Sequence, residues 1–212
     1  MTAESNIPTT DIHSLIEGWR QHSEKPECLP TCLYNILFDL SNEGEKLNGI
    51  LPISIQKTKG ICGYTPESGS AWDKTKKGIE SKLRRNHVMD WEIRHKEGRG
   101  KDLDHLYKVL SDPNSSYPVL NLGPEYLSER YNAPLEGPPH SWFDHCVVGL
   151  ECLEDRVVIY DPYNPFKMCY FNPVYELDRN TFLRYWVSAD PAKGIMWLQR
   201  VSRTLEHFME VR

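Results

Sequence analysis

The chain has 212 residues, 39% of them hydrophobic and 11% aromatic, and its 25 Lys and Arg against 30 Asp and Glu give a net charge of -5. That length suits one domain with a well-buried core, and the acidic balance leaves no electrostatic footprint for DNA or RNA, so no nucleic-acid partner is expected. No run approaches the roughly 18 apolar residues of a membrane span, and the opening M-T-A-E-S-N-I-P-T-T lacks the basic and apolar parts of an export signal. The six cysteines are too few for a disulfide scaffold. A soluble cytoplasmic protein with reduced thiols and no membrane partner is the expectation.

Residues 1–10 are polar and aperiodic and read as a loose arm before a single domain over 11–212. From Asp11, a possible N-cap, Ile12, Leu15, Ile16 and Trp19 recur at helical spacing. A polar loop with Pro26 runs from Gln21 to Glu27. Leu33, Ile36, Leu37 and Leu40 then form a face of helical period, ended by S-N-E-G at 41–44, which predicts a buried helix beginning near Pro30. Gly60, Gly63, Pro66 and Gly69 mark a loop, and Trp72, Ile79 and Leu83 among Lys and Glu mark a surface helix. Strands over 87–93 and 117–122 flank a helix carrying Leu103, Leu106, Tyr107 and Leu110. Three closely spaced strands, at 146–150, 157–160 and 168–171, read as an antiparallel meander. A helix over 179–186, a strand at 195–198 and a short helix with Leu205 and Phe208 complete the chain. Helices first and sheet last make the fold class α+β, with a helix packed on an antiparallel sheet.

The chemistry sits in four residues. Cys28 lies two residues before Pro30, and Pro favours the first turn of a helix, so the thiol falls at a helix N-terminus whose dipole favours a thiolate. The plain alternative is a buried structural thiol, which describes Cys32 well. His145 opens one apolar strand and Asp161 ends the next, so antiparallel pairing brings imidazole and carboxylate side by side, the carboxylate fixing the tautomer. Taken singly, they are a strand-edge histidine and a turn residue before Pro162. Gln21 offers a side-chain amide to a developing oxyanion beside the Cys28 backbone N–H. Thiol, imidazole, carboxylate and amide together are the parts of a nucleophilic acyl-transfer site.

Other residues carry less. His140, in a G-P-P loop, is the runner-up base. No C-x-x-C or H-E-x-x-H spacing supports a metal site, and the mechanism needs no cofactor. Asp144 should face away from His145 if the segment is extended, so it takes no catalytic role. Trp142, Phe143, Tyr160, Tyr163 and Tyr170 read equally as groove lining or as core.

With these residues in hand, the chain resembles the papain-like peptidases related to the bacteriocin-processing domains that remove double-glycine leader peptides. In that family a Gln precedes an acidic-Cys-Gly-Pro-x-small-Leu motif at a helix start, and a His-x-Val-Val-Gly strand is followed by a strand ending Asp-Pro. The matching positions here are Gln21, Glu27 to Leu33, His145 to Gly149, and Asp161 with Pro162; L-D-R-N-T-F-L-R-Y-W at 177–186 is similar to the family's helix before its last strand. The resemblance implies a papain-like cysteine peptidase fold, with an N-terminal helical part whose central helix bears the nucleophile packed on a C-terminal antiparallel sheet. It implies a stand-alone cysteine peptidase acting on a peptide or protein, with Cys28 as nucleophile, His145 as base, Asp161 as its orienting partner and Gln21 as oxyanion donor. The same parts serve peptide or isopeptide hydrolysis, acyl transfer and deamidation. One departure stands out: Leu29 occupies the family's Gly position, where a side chain could narrow the acyl groove. It is the sequence argument for the alternative from another class, a non-catalytic binding protein that keeps the fold.

Overall fold

The computed structural model describes residues 14, 16–22, 27–42, 54–97, 103–132, 144–165, 167, 172–190 and 194–201. In chain order the helices are α1 (Cys28–Asn42), α2 (Ile55–Ile61) and α3 (Trp72–Arg85), followed by strand β1 (Trp91–Lys96), helix α4 (Asp104–Ser111), strand β2 (Val119–Leu122) and helix α5 (Pro124–Tyr131). Strands β3 (His145–Cys152), β4 (Arg156–Tyr160) and β5 (Val174–Asp178), helix α6 (Arg179–Ser188) and strand β6 (Ile195–Arg200) follow.

The six strands form one sheet in the order β1-β6-β2-β3-β4-β5, antiparallel at each pairing. Side chains alternate across it with the two-residue period of a strand. Cys146, Val148, Leu150, Val158, Tyr160, Met196 and Leu198 face a core shared with α1 and α3, whereas Val147, Val157, Ile159, Ile195 and Trp197 face a second core built with α4, α5 and α6. Because both faces are covered, β3 and β4 read as continuous apolar runs rather than alternating ones. A register shift between Gly149 and Glu151 flips the phase of β3, which is why Cys152 lies in the second core rather than the first.

The α+β class and the helix-on-sheet packing are as the sequence implies, with helices on both faces of the sheet. Local differences have physical causes. Helix α2 occupies part of the stretch read as a loop from Gly60; its N-cap Ser54 accepts from the Lys57 N–H, and the turn comes later, where Gly63 and Gly69 adopt positive φ. The first strand starts at Trp91 rather than residue 87 because α3 ends in a left-handed His87 (φ 56), with Val88 N–H bonded back to the Leu83 carbonyl. Pro124, just past the strand read over 117–122, opens α5 at a position where its missing N–H costs nothing. Strand β5 has no counterpart in the sequence reading, and the strand placed at 168–171 lies outside the described residues. So do the arm at 1–10, the C-terminal helix, His140, and residues 11–13 and 15 of the helix placed from Asp11. Among the described residues no helix is long and apolar enough to cross a membrane.

Candidate active site

Cys28 is the first residue of α1, and the helix stands there because Leu29, Leu33, Ile36, Leu37 and Leu40 bury one face against the sheet while Pro30 fills the first turn. Glu27, just before it, pairs with Lys59 of α2 and anchors the approach to the helix. Cys28 is buried, at 6% exposure. A hydrogen bond with the Cys146 thiol acts on it most strongly, followed by the His145 side chain and its charge. Together with more distant charge from His22 these hold Cys28 well below the ordinary thiol range in spite of burial. Cys146 is pushed up in turn by its hydrogen bond to Cys28 and by burial. The Cys32 thiol, one turn on, donates to the Cys146 carbonyl at 3.3 Å, and burial raises it.

His145 opens β3 opposite Leu122 of β2, and Asp161 directly follows β4. Both are fully buried, at 0% exposure. Asp161 shares the phase of Val157 and Ile159, and His145 that of Val147, so the pair lies toward the α4–α6 side of the sheet. Cys28 belongs to the opposite core, and the three meet at the end of the sheet where β3 begins and β4 finishes. His145 Nε2 stands 2.7 Å from Asp161 Oδ1. A carboxylate only accepts, so Nε2 carries the hydrogen and Nδ1 is the nitrogen left for the thiol. Nδ1 is buried and has no hydrogen-bond partner among the described residues. Burial disfavours the imidazolium, yet the charge and hydrogen bond of Asp161, with a contribution from Cys28, raise His145 to about 10.

Asp161 is saturated with donors. Oδ1 takes the His145 Nε2–H and the Tyr163 backbone N–H at 2.8 Å, and Oδ2 takes the hydroxyls of Tyr126 and Tyr131, each at 2.8 Å. Burial pushes the carboxyl up, but the His145 charge and these bonds bring it below its ordinary value. The Tyr126 ring lies parallel to the imidazole, 5.7 Å between centroids with a 7° interplanar angle.

Gln21 is stitched to the same place from both sides. Asn35 of α1, fully buried, clasps the Arg20 backbone with Oδ1 accepting from its N–H at 2.8 Å and Nδ2 donating to its carbonyl at 3.0 Å, and Tyr160 donates to that carbonyl at 2.9 Å. His22 N–H donates to the Pro162 carbonyl at 2.8 Å, and the Asn164 N–H to the His22 carbonyl at 2.7 Å. Asn164 Nδ2 donates to Gln21 Oε1 at 2.8 Å, which makes Nε2 the donor end of the amide. Thus the four residues singled out by sequence converge on one end of the sheet.

Leu29 is 2% exposed and packed in the α1 core, with no positive φ, so its side chain is spent on packing. Asp144 is a brace: its Oδ2 accepts from Asn121 Nδ2 at 2.9 Å and from the Asp190 N–H, and burial raises it to about 6. Tyr160 is core, edge-on to Trp19 at 4.9 Å, while Tyr163 flanks His145 and His22. Trp142, Phe143 and Tyr170 lie outside the described residues. Among the described residues no group of three or more His, Cys, Asp or Glu side chains is placed to hold a metal ion. Sequence reasoning missed His22, Asn35, Tyr126, Tyr131, Cys146 and Asn164. For Tyr126 and Tyr131 the available signal was G-P-E at 123–125, a helix start two turns long that presents both hydroxyls.

Comparison of the fold with solved structures gives two near relatives in shape. One is a protein from Bacillus anthracis described as a C39-like peptidase, with a TM-score of 0.53 and 15% identity over 88% of this chain and 94% of that one. The other is a double-glycine-motif protease from an AMS/PCAT transporter, in complex with the leader peptide, with a TM-score of 0.50 and 13% identity over 85% and 89% of the two chains. No protein-family model matches the chain, and no curated protein sequence matches it significantly. At such identities the likeness is one of fold: the chain has the papain-like α+β fold of the double-glycine peptidase domains.

Proposed function

We propose that this chain is a cysteine peptidase, or a closely related thiol hydrolase, that cuts a peptide or isopeptide bond through Cys28, His145, Asp161 and Gln21. The observation that carries the reading is the buried hydrogen bond of 2.7 Å between His145 Nε2 and Asp161 Oδ1 beside a helix-terminal thiol held below its usual range. An acid-base pair whose two members are pushed in opposite directions is what a thiolate-imidazolium nucleophile requires.

In the proposed mechanism the Cys28 thiolate attacks the carbonyl carbon, and the Cys28 backbone N–H with Gln21 Nε2 bears the charge that develops on the oxygen. The imidazolium gives its Nδ1 proton to the leaving amine, and a thioester to Cys28 remains. Neutral His145 then takes a proton from water, hydroxide adds to the thioester, and collapse returns Cys28 and a carboxylic acid. Asp161 keeps Nε2 protonated, so that Nδ1 does the proton transfer throughout. A peptide is the favoured substrate class, in keeping with the leader peptide bound by the transporter protease of like fold. The argument for a non-catalytic binding protein rested on Leu29, and a leucine spent in the core gives it no support. Acyl transfer and deamidation use the same steps with a different acceptor or a side-chain amide.

The test is trapping of the thioester. The protein is incubated with a panel of synthetic peptides, including ones with Gly-Gly before the scissile bond, then quenched in acid and analysed by mass spectrometry. The reading expects an acyl adduct on the peptide containing Cys28 together with cleavage fragments, both lost in Cys28→Ala. Fragments that persist in Cys28→Ala, or an adduct on another cysteine, would overturn it.

A further inference from the structure

We infer that Tyr126 and Tyr131 are positioning residues of the site, two hydroxyls from one helix that hold the Asp161 carboxylate ionised and aimed at His145. The inference rests on the peptidase reading for its purpose but on geometry for its substance. Both hydroxyls donate to the same oxygen, Oδ2, at 2.8 Å each, leaving Oδ1 to His145 and the Tyr163 N–H. The two oxygens therefore have separate duties: Oδ2 is pinned to α5, and Oδ1 points at the imidazole. With one side pinned, the carboxylate cannot turn about its Cβ–Cγ bond without breaking two buried hydrogen bonds to a charged group.

Elementary electrostatics says why such a pin is needed here. Asp161 is wholly buried, and burial alone favours the neutral acid. A protonated Asp161 would no longer hold Nε2–H, and the tautomer that leaves Nδ1 for the thiol would be lost. Burial and the Asp161 charge push the Tyr126 and Tyr131 hydroxyls far up, so each remains a donor across the range in which a thiolate-imidazolium pair works. Tyr126 adds a second constraint, since its ring lies flat against the imidazole and limits rotation of His145 out of plane. The Tyr131 hydroxyl also lies 3.1 Å from the Tyr163 carbonyl, so its one hydrogen is shared between that oxygen and the nearer Oδ2, tying α5 to the segment after Asp161.

The other titratable groups around the carboxylate are Tyr160 and Tyr163 on its own segment, Cys28 and Cys32 of α1 and Tyr175 of β5, with His22 beside Tyr163. Arg130 of α5 stacks on Tyr175 with its guanidinium 3.8 Å from the ring centroid, and it faces the two tyrosines. None of these donates to Oδ2 among the described bonds, so the two hydroxyls are the donors whose removal isolates the effect.

The experiment uses Tyr126→Phe, Tyr131→Phe and the double variant, which keep the rings and delete only the hydroxyls. Carbon-13 NMR follows the titration of the Asp161 carboxyl, nitrogen-15 NMR reads the tautomer of His145, and iodoacetamide labelling of Cys28 is measured in parallel. The Asp161 midpoint should rise by about one pH unit for each hydroxyl removed. The Nε2–H tautomer and Cys28 labelling at pH 6 should fall in the same order, lowest in the double variant. Tyr126→Leu, which also removes the ring, should lower labelling below Tyr126→Phe at the same Asp161 midpoint. Folded Phe variants whose Asp161 midpoint and His145 tautomer match wild type would overturn the inference, whatever their thermal stability. If Tyr126→Phe does not fold, Tyr131→Phe alone decides, because Tyr131 is only half-buried at the end of α5. Slow wild-type labelling would count against the peptidase reading, whereas the NMR midpoints judge the tyrosines independently of turnover.

Discussion

Replacing Leu29 by Ala separates packing from catalysis at the position next to the nucleophile. Leu29 is 2% exposed, in the first turn of α1, within the core that includes Cys32, Leu33, Ile36 and Leu37. Truncating a fully buried leucine removes its transfer free energy and leaves a cavity, for which about 3 kcal/mol is a central value. In a chain of this length that corresponds to a fall in melting temperature of about 6–12 °C. Leu29→Gly should cost about 1 kcal/mol more, since glycine gives up backbone entropy in a helix. The non-glycine residues with positive φ are His87, Asn132 and Lys167 among those described, so position 29 has no use for glycine's conformational freedom. Circular dichroism melting gives the stability, and iodoacetamide labelling of Cys28 at pH 6, well below the melt, gives the state of the thiol. The expected outcome is a clear loss of stability with labelling within about threefold of wild type, because the thiolate depends on Cys146 and His145 rather than on the leucine. A variant as stable as wild type, or one that labels tenfold faster, would refute this reasoning and make Leu29 a cover over the thiol.

Asp161→Asn removes the charge that raises His145, so burial acts unopposed and the imidazolium is lost near neutral pH. Cys28 then keeps its hydrogen bond with Cys146 but loses the imidazolium, and labelling at pH 6 should drop by roughly tenfold or more; a drop below threefold contradicts the assignment. Raised His145 stabilises the fold fully below pH 6.5 and loses that contribution as pH climbs to about 10, whereas lowered Cys28 adds stability above pH 9 that is lost as pH falls through its folded value. Between pH 7 and 9 the two slopes oppose, so the wild-type melting temperature should be nearly flat while that of Cys28→Ala falls with pH; parallel curves would show that the groups are not coupled. Gly78→Ala in α3, ordinarily stabilising in a helix, should instead destabilise the protein by about 1–3 kcal/mol, because an added Cβ would sit 2.3 Å from the Ile61 carbonyl oxygen. Thermal melting checks the sign. Asn35→Ala strips both bonds from the Arg20 backbone and should cost about 1–3 kcal/mol while lowering turnover through Gln21, with labelling of Cys28 preserved; unchanged turnover would disconnect Asn35 from the oxyanion donor.

The parts of this site that were readable in the sequence are those fixed by local rules. Leu33, Ile36, Leu37 and Leu40 declare α1 by period, Pro30 sets its start, and Cys28 follows from that start. His145 and Asp161 were readable because each marks the end of an apolar run, and antiparallel neighbours must bring such ends together. What the sequence hid depends on contacts with no periodic signature. Tyr126 and Tyr131 reach Asp161 because α5 packs over the end of β3 and β4; the G-P-E start announces the helix but not what its hydroxyls meet. Asn35 reads as a polar interruption of a buried helix, and its purpose appears only when the Arg20 backbone lies against it. The interleaving of β6 between β1 and β2 was equally hidden, since a strand near the chain end inserts into the sheet by long-range pairing. Strand β5, with half-exposed side chains at the sheet edge, lacks the apolar run that marks β3 and β4.

The central claim is a thiolate at Cys28 sustained by His145, and the pH dependence of its alkylation by iodoacetamide, resolved thiol by thiol by peptide mass spectrometry in wild type and His145→Ala, tests it most directly. Cys28 should label rapidly well below the usual thiol value near 8.5. Cys62 and Cys152, pushed by burial to about 12 and about 11, should stay silent beside it, as should Cys32 and Cys146. In His145→Ala the advantage of Cys28 should vanish. Labelling of Cys28 no faster than that of the other buried thiols, and indifferent to His145, would contradict the account at its root.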